Sequence, residues 1–297
     1  MQIIRRNVPD LSSDISNQLI FVVEKSLSAI TTQNDQFIIN DTLWYAKSRK
    51  GDITPCVVNS ASFISKAFQN NLATHKGWRG ETKIDNQNFD GFGELISTEI
   101  GYKLDEKRII PFLNEYLLIT NTPDYLISKY FSIFYGMYIK REMFTLERIP
   151  KELHHYFIKT QSSIKLRVGV EFETGNIGSS FRAILKLNNL FLKQHIDIGV
   201  FITSNDKNNC ATRIWPVSNR NGSFVELENR NYLDNVNLPL VEFGFSPDSF
   251  SSKALYLGEN GELFAPKRTD RKITFKGRVY SVYLGANDEE ILKLITI

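Results

Sequence analysis

Two glutamates, Glu171 and Glu173, stand two residues apart in the run VGVEFETGN, residues 168–176. On an extended chain they project to one face, while Val168, Val170 and Phe172 project to the other. Carboxylates a few ångströms apart repel each other, and each resists losing water. An apolar run therefore gains from them only where a cation or a basic group sits between. Oxygen-rich sites of this kind suit Mg²⁺, which takes a few carboxylates and keeps several waters. Such an ion polarises a phosphodiester, lowers the pKa of an attacking water and stabilises the leaving oxygen. A solvated strand face with surface salt bridges has the same spacing, so the motif alone leaves both readings open. A glycosidase pair needs its carboxylates on opposite sides of a sugar, and same-strand neighbours are too close for that. The other pair of potential ligands, His154-His155, reads as solvated, because adjacent residues point apart on any regular element.

The elements that must hold these acids are legible from periodicity. IKLRVGVEFE alternates as a strand, SSFRAILKLNNLFLKQH carries Phe181, Ile184, Leu185, Asn188 and Leu192 at helical spacing, and IDIGVFIT is a continuous apolar strand. Strand, helix and strand within about 40 residues make a βαβ unit with parallel neighbouring strands. Upstream, Ile15, Leu19, Val22, Val23 and Leu27 mark one face of an amphipathic helix behind a Ser12-Ser13-Asp14 cap. Phe63, Ile64, Ala67, Phe68 and Leu72 mark a second helix that ends near Gly77, and QFIIN reads as a short strand or extended turn. Thr122 and Pro123 form a helix start, and residues 96–165 as a block read as a helical insertion. From LPLVEFGFSPDSF onward the chain supplies further strands and turns. The fold class expected is α/β, with residues 1–297 forming one main domain that contains the insertion.

Composition narrows the partners. The chain has 297 residues, is 42% hydrophobic and 23% charged, and carries a formal net charge of +3. A nucleic-acid surface would therefore be a local patch rather than the whole exterior. Two cysteines, Cys56 and Cys210, have no metal-ligand spacing and make no disulfide framework, which fits a reducing compartment. The opening MQIIRRNVPDLSSD lacks an apolar signal core, and the most apolar segment, near residues 125–138, is too short to span a bilayer. The expectation is a cytoplasmic protein with no membrane partner.

The run RVGVEFETGNIGSSFRAILKLNNLF, followed by IDIGVFIT and NGSFVELENRNYL, resembles the BamHI restriction endonuclease family. The carriers are the EFETGN core and an arginine six residues beyond its asparagine. The likeness spans about residues 165–250, with weaker similarity in FIINDT and in SFISKAF to WRGETKID, and it has no counterpart for the insertion. It implies a PD-(D/E)XK restriction-endonuclease-like mixed sheet flanked by helices, in the variant where the usual lysine is glutamate. By the same likeness Glu171 is a metal ligand and Glu173 the base that orients or deprotonates water. Asp90 in FDGFGEL is the ligand at a strand start, with Asp85 as runner-up, and Glu81 in WRGETKID is a further acid. The link from Glu81 to Asp90 is shorter than the family pattern.

Base identity in duplex DNA is read by side chains with two placed groups, arginine on guanine and asparagine on adenine. The resemblance assigns such reading to Asn176 and Arg182 around a helix start, and to Asn219 and Arg220 in VSNRNGSFVEL. Gly178 replaces the family serine, and Asn219 its aspartate, so the bases read there can differ. The expected function is a Mg²⁺-dependent type II restriction endonuclease, with Mn²⁺ an acceptable substitute. It would cut double-stranded DNA at a short palindrome, with GATC a candidate centre, and leave 5′ overhangs. A homodimer would read the palindrome, and a cognate methyltransferase would protect host sites. The rivals are a repair or mobile-element nuclease of the same fold and a DNA-binding protein that lost its chemistry.

Overall fold

The computed structural model describes residues 1–7, 11, 13–121, 146, 147, 149–174, 177–205, 224, 227 and 236–295. The chain opens with β1 (Gln2–Arg6) and α1 (Ser13–Ser28), then a hairpin of β2 (Trp44–Lys47) and β3 (Ile53–Cys56). Next come α2 (Ala61–Leu72), β4 (Trp78–Arg79) and the small hairpin β5 (Thr82–Ile84) and β6 (Gln87–Phe89). The long strand β7 (Gly91–Leu104) leads into α3 (Ile109–Thr120) and returns as β8 (Phe157–Phe172). The chain continues through α4 (Ile177–Leu192), β9 (Ile198–Ser204) and β10 (Leu240–Ser246), and closes with β11 (Lys267–Phe275), β12 (Arg278–Leu284) and β13 (Glu290–Leu294).

The main sheet runs β1-β10-β9-β8-β7-β4 and is mixed. β8, β9 and β10 are parallel, while β1, β7 and β4 join antiparallel. The parallel pairing of β8 with β9 across α4 is the βαβ unit that the apolar periods anticipate. Every residue of β9 is buried, as a strand covered on both faces requires. One face carries α1 and α2. Ile15, Leu19, Val23 and Leu27 of α1 and Phe63, Ile64, Phe68 and Leu72 of α2 pack on Val168, Val170 and Phe172. The other face carries α4, whose Ile184, Leu187, Leu190 and Phe191 cover Phe201 and Leu240. The apolar stripe of α4 is thus filled by the chain's own sheet. Asn188, within that stripe, is buried because its Oδ1 accepts from the backbone N–H groups of Asn237 and Leu238, at 3.0 and 3.2 Å.

The expected helical insertion at 96–165 needs correction. Residues 96–104 continue β7 and residues 157–165 belong to β8, paired from Gly91 with Val170 out to Leu104 with Phe157. This ribbon forms because ISTEIGYKL and FIKTQSSIKL pair along nine positions, from Ile96 with Lys165 to Leu104 with Phe157, a partnership between segments distant in sequence. Among the described residues of this segment, helix occurs at the ribbon's far end, where α3 and a 3₁₀ turn, Lys151–Tyr156, close a separate cluster around Phe112, Leu153 and Phe157. The helix start foreseen at Thr122 and Pro123 lies outside the described residues. His154 and His155 diverge, but only His155 is solvated as expected. His154 is half-buried with Nε2 within 3.0 Å of the Leu146 and Ile149 carbonyls, whereas His155 is exposed. No helix among the described residues is long and apolar enough to cross a membrane.

A second, wholly antiparallel sheet runs β11-β12-β13-β2-β3. It unites the end of the chain with residues 44–56 and has its own apolar clusters, one around Trp44, Tyr256 and Ile291 and one around Tyr280, Val282 and Leu292.

The origin of β7 is held by close approach. A Cβ on Gly93 would penetrate the ring of Trp78, which lies flat over that residue from β4. Gly93→Ala should therefore cost about 1–3 kcal/mol by overpacking, read as a lowered urea midpoint with unchanged slope.

Candidate active site

Antiparallel register fixes the first contact. With Gly91 opposite Val170, the residue before Gly91 faces the one after Val170, so Asp90 comes beside Glu171. The Phe172 N–H donates to Asp90 Oδ2 at 2.8 Å, and Gln69 Nε2, near the end of α2, donates to Oδ1 at 2.8 Å. Asp90 thus stands at the start of β7, where the sequence places a strand-start acid. Burial raises its pKa and the charge of Glu81 adds to this, against the pull of the Phe172 N–H, the Gln69 amide and the Lys186 ammonium.

Glu171 lies on the α4 face of the sheet, beside Phe201 of β9. It is only 5% exposed. The Lys186 ammonium, projecting from α4, stands 2.5 Å from Glu171 Oε1. That approach is an ion pair without hydrogen-bond direction, and Oε1 is left buried with no hydrogen bond. Lys186 also donates to the Asn88 carbonyl at 2.8 Å and lies 4.4 Å from the centre of the Phe89 ring. Burial pushes the Glu171 carboxyl up to about 8, helped by the charges of Asp90 and Glu173 and opposed by Lys186. Desolvation of the buried carboxylate outweighs the one ammonium. Lys186 is the residue of the site that sequence reasoning missed. Its signal was its place one turn beyond Arg182 on a helix that must cover the face carrying Glu171.

Glu173 lies just past the end of β8, half-buried, with its N–H donating to the Ile202 carbonyl at 2.8 Å. It shares the neighbourhood of Glu171, as the alternation of an E-x-E strand requires. Glu81 is exposed in the turn after β4 and close enough to act on Asp90. Gly80 makes this possible, since a Cβ there would lie 2.8 Å from the Gln69 carbonyl oxygen. Asp85 is placed elsewhere. It occupies the Asp85-Asn86 turn between β5 and β6 with positive φ, 2.6 Å from Lys193, which holds its carboxyl below the usual range. Arg182 is exposed in the second turn of α4 and donates to Ser179 Oγ at 3.2 Å. Asn176, Asn219 and Arg220 lie outside the described residues.

The donor set fits a small hard cation. Asp90 and Glu171 are adjacent carboxylates, each with acceptor capacity left, and Glu171 Oε1 is a buried oxygen whose cationic neighbour Lys186 makes no directed hydrogen bond to it. Among the described residues no three ligand-type side chains form a preassembled cage. Mg²⁺ needs none, because it is held through one or two carboxylates with water and substrate phosphate completing its shell.

The same chain matches a family model described as the restriction endonuclease BamHI over residues 2–262. No curated protein matches it.

The raised carboxyl of Glu171 has a consequence for stability. Its folded pKa lies above the ordinary value of 4.5, so the folded state holds the extra proton between about pH 4.5 and 8. In EDTA the wild type should lose stability as pH rises through that window, by up to about 1.4 kcal/mol per pH unit. Glu171→Gln should remove most of that slope, making the variant the more stable protein at pH 8 and closing the gap toward pH 5. Thermal melts across pH in EDTA measure it.

Proposed function

The chain belongs to the BamHI restriction endonuclease family, whose members are site-specific DNA nucleases, and on that premise we propose that it is a Mg²⁺-dependent type II restriction endonuclease cutting both strands of a short palindrome. The supporting observation is the pairing of half-buried Asp90 with buried Glu171 at the origin of β7, with Glu81 and Glu173 beside them. Asp90, Glu171 and Glu81 are the residues that would hold Mg²⁺, or Mn²⁺ in its place, and the bound ion supplies Lewis-acid polarisation of the phosphodiester and a more acidic water.

The chain's own groups do the rest. Phe172 N–H and Gln69 Nε2 hold Asp90 in one orientation, so its free lone pairs keep a fixed direction. Glu173, more open to solvent than Glu171, orients the attacking water and accepts its proton. Water attacks phosphorus in line with the 3′ oxygen, which departs and leaves a 5′ phosphate. Glu171 contributes a ligand oxygen and, by its burial, keeps bulk water from that side. Lys186 neutralises the cluster before metal and substrate arrive.

Sequence choice is assigned to Asn176 and Arg182 near the start of α4 and to Asn219 and Arg220. Arginine spans guanine O6 and N7, and asparagine spans adenine N6 and N7. A two-fold homodimer places one such site on each strand of a palindrome, with a GATC centre and 5′ overhangs in keeping with the family. The reading takes residues 1–297 as one nuclease unit acting in the cytoplasm, beside a methyltransferase that protects host sites.

Incubation of plasmid and genomic DNA with Mg²⁺ should yield discrete fragments sharing one cut motif, and EDTA should abolish cutting. Unselective nicking, or no dependence on a divalent ion, overturns the proposal. Glu171→Ala and Asp90→Asn should each lower cleavage by on the order of 10²-fold or more while the protein stays folded. Arg220→Ala should weaken discrimination at one base pair by about 1–3 kcal/mol, visible as relaxed choice at that position in a randomised-site library.

A further inference from the structure

The family match ends at residue 262, and the chain's excess positive charge lies beyond it. Segment 263–297 holds six basic residues between 267 and 278 plus Lys293, against Asp270, Asp288, Glu289 and Glu290. Its balance of seven to four equals the +3 of the whole chain and leaves residues 1–262 formally neutral. A nuclease that must hold a polyanion carries no net charge in its family-matched part. That contrast asks what the last strands are for.

Their register divides the charge between the two faces of the hairpin: Arg268, opposite Tyr283, shares the face of Lys272, whereas Lys267, opposite Leu284, and Arg278, opposite Phe275, share the face of the Tyr280 cluster. Lys267, Arg268, Arg271, Lys272, Lys276 and Arg278 are all exposed. Arg271 pairs with Glu290 and Lys276 with Asp52, whereas Lys267, Arg268, Lys272 and Arg278 enter no ion pair among the described residues. The tip is a two-residue Lys276-Gly277 turn with both φ positive, closed by Phe275 opposite Arg278. Such a turn is rigid and holds its flanking side chains outward. Ile273 and Phe275 anchor the hairpin to the cluster around Tyr280, Val282 and Leu292, so alternation turns Lys272 and Thr274 to the other face. On that face Lys272 and the exposed Lys293 flank Ser281 on neighbouring strands, about 10 Å apart at two strand spacings.

This sheet is also tied to the catalytic side of the molecule. Ser60, capping α2, donates its N–H to the Leu257 carbonyl, and Lys66 donates to Glu259, whose carboxylate accepts from Asn287 in the loop before β13. In the last turn of the same helix Gln69 donates to Asp90. The nine residues from Ser60 to Gln69 cover about 13 Å of helix axis.

We infer that the β11–β12 hairpin is a backbone clamp that holds phosphates of duplex DNA flanking the cleaved site. It supplies affinity without reading sequence. The inference rests on the nuclease reading above, and deepens it by naming where the electrostatic part of binding resides. A duplex carries about one negative charge per 1.7 Å of axis, and each contacted phosphate adds about 0.9 to the slope of log affinity against log salt.

The test compares full-length wild type with the fourfold variant Lys267→Gln, Arg268→Gln, Lys272→Gln, Arg278→Gln, and with the milder Lys272→Gln, Arg278→Gln pair. The probes are duplexes carrying the mapped cut motif with flanks of about 15 or about 2 base pairs, with Ca²⁺ in place of Mg²⁺. On long flanks the fourfold variant should lose at least about tenfold in affinity at about 0.1 M salt and about 2–4 in salt slope, with the pair losing about half as much slope. On trimmed duplex all three proteins should bind alike, and single-turnover cleavage in Mg²⁺ should match once DNA is bound. Equal affinity and slope on long flanks overturns the clamp while leaving the nuclease intact. Equal loss on trimmed and long duplexes also overturns it, since the residues would then act at the core site. A wild type that binds and cuts no duplex overturns the nuclease reading, and the clamp with it. Matched melting temperatures exclude unfolding, and should the fourfold variant fail to fold, the pair decides by the same criteria.

Discussion

The antiparallel register of β7 against β8 is the constraint on which the site depends. It sets Asp90 beside Glu171, and the Phe172 N–H on Asp90 locks the alignment at its last rung. A slip of one residue would turn Glu171 into the apolar core and bring Val170 or Phe172 into its place. The register is protected by close packing. Leu72 of α2 lies over Gly91 and Trp78 over Gly93, both at distances that only glycine permits. The acids are thus located by hydrophobic fit around them, not by attraction for one another.

That placement costs stability. Two adjacent carboxylates in partial burial repel, and desolvation raises both. The protein offsets part of this with the Lys186 ammonium from α4, itself steadied by the Asn88 carbonyl and the Phe89 ring. A buried acid with one oxygen lacking a hydrogen bond is a poor structural element. It is a good cation ligand, because a divalent ion removes the repulsion and satisfies the orphaned oxygen together. The features that weaken the apo fold here are those that suit hydrolysis of a phosphodiester.

Around this centre the chain adds two parts of different character. The β7–β8 ribbon carries a small apolar cluster at its far end. The last three strands build a sheet with residues 44–56, so the end of the chain and a loop within the family-matched region depend on each other for pairing. The first extends existing strands outward, and the second is tied through Asn287 and Glu259 to Lys66 of α2, the helix that also positions Asp90.

Much of the architecture was legible from local pattern. The 3.6 period marks α1, α2 and α4, the alternation of VGVEFE sets Glu171 and Glu173 opposite the core valines, and the length of the βαβ unit implies parallel β8 and β9. Each follows from the geometry of one segment, which a sequence carries in full. The extended state of residues 96–104 and 157–165 was not legible, because their alternation is weak and each becomes a strand through its partner. The family resemblance already preferred Asp90 to Asp85, but what sets Asp90 beside Glu171 and Asp85 away from it is strand register, since both acids sit beside turn residues in sequence. Lys186 looked like the polar side of an amphipathic helix until α4 was laid on the sheet. Sequence determined which way each side chain faces on its own element. Tertiary structure decided which faces meet, because that depends on packing between segments far apart in sequence, as with Asp90 and the Phe172 N–H it accepts at a separation of 82.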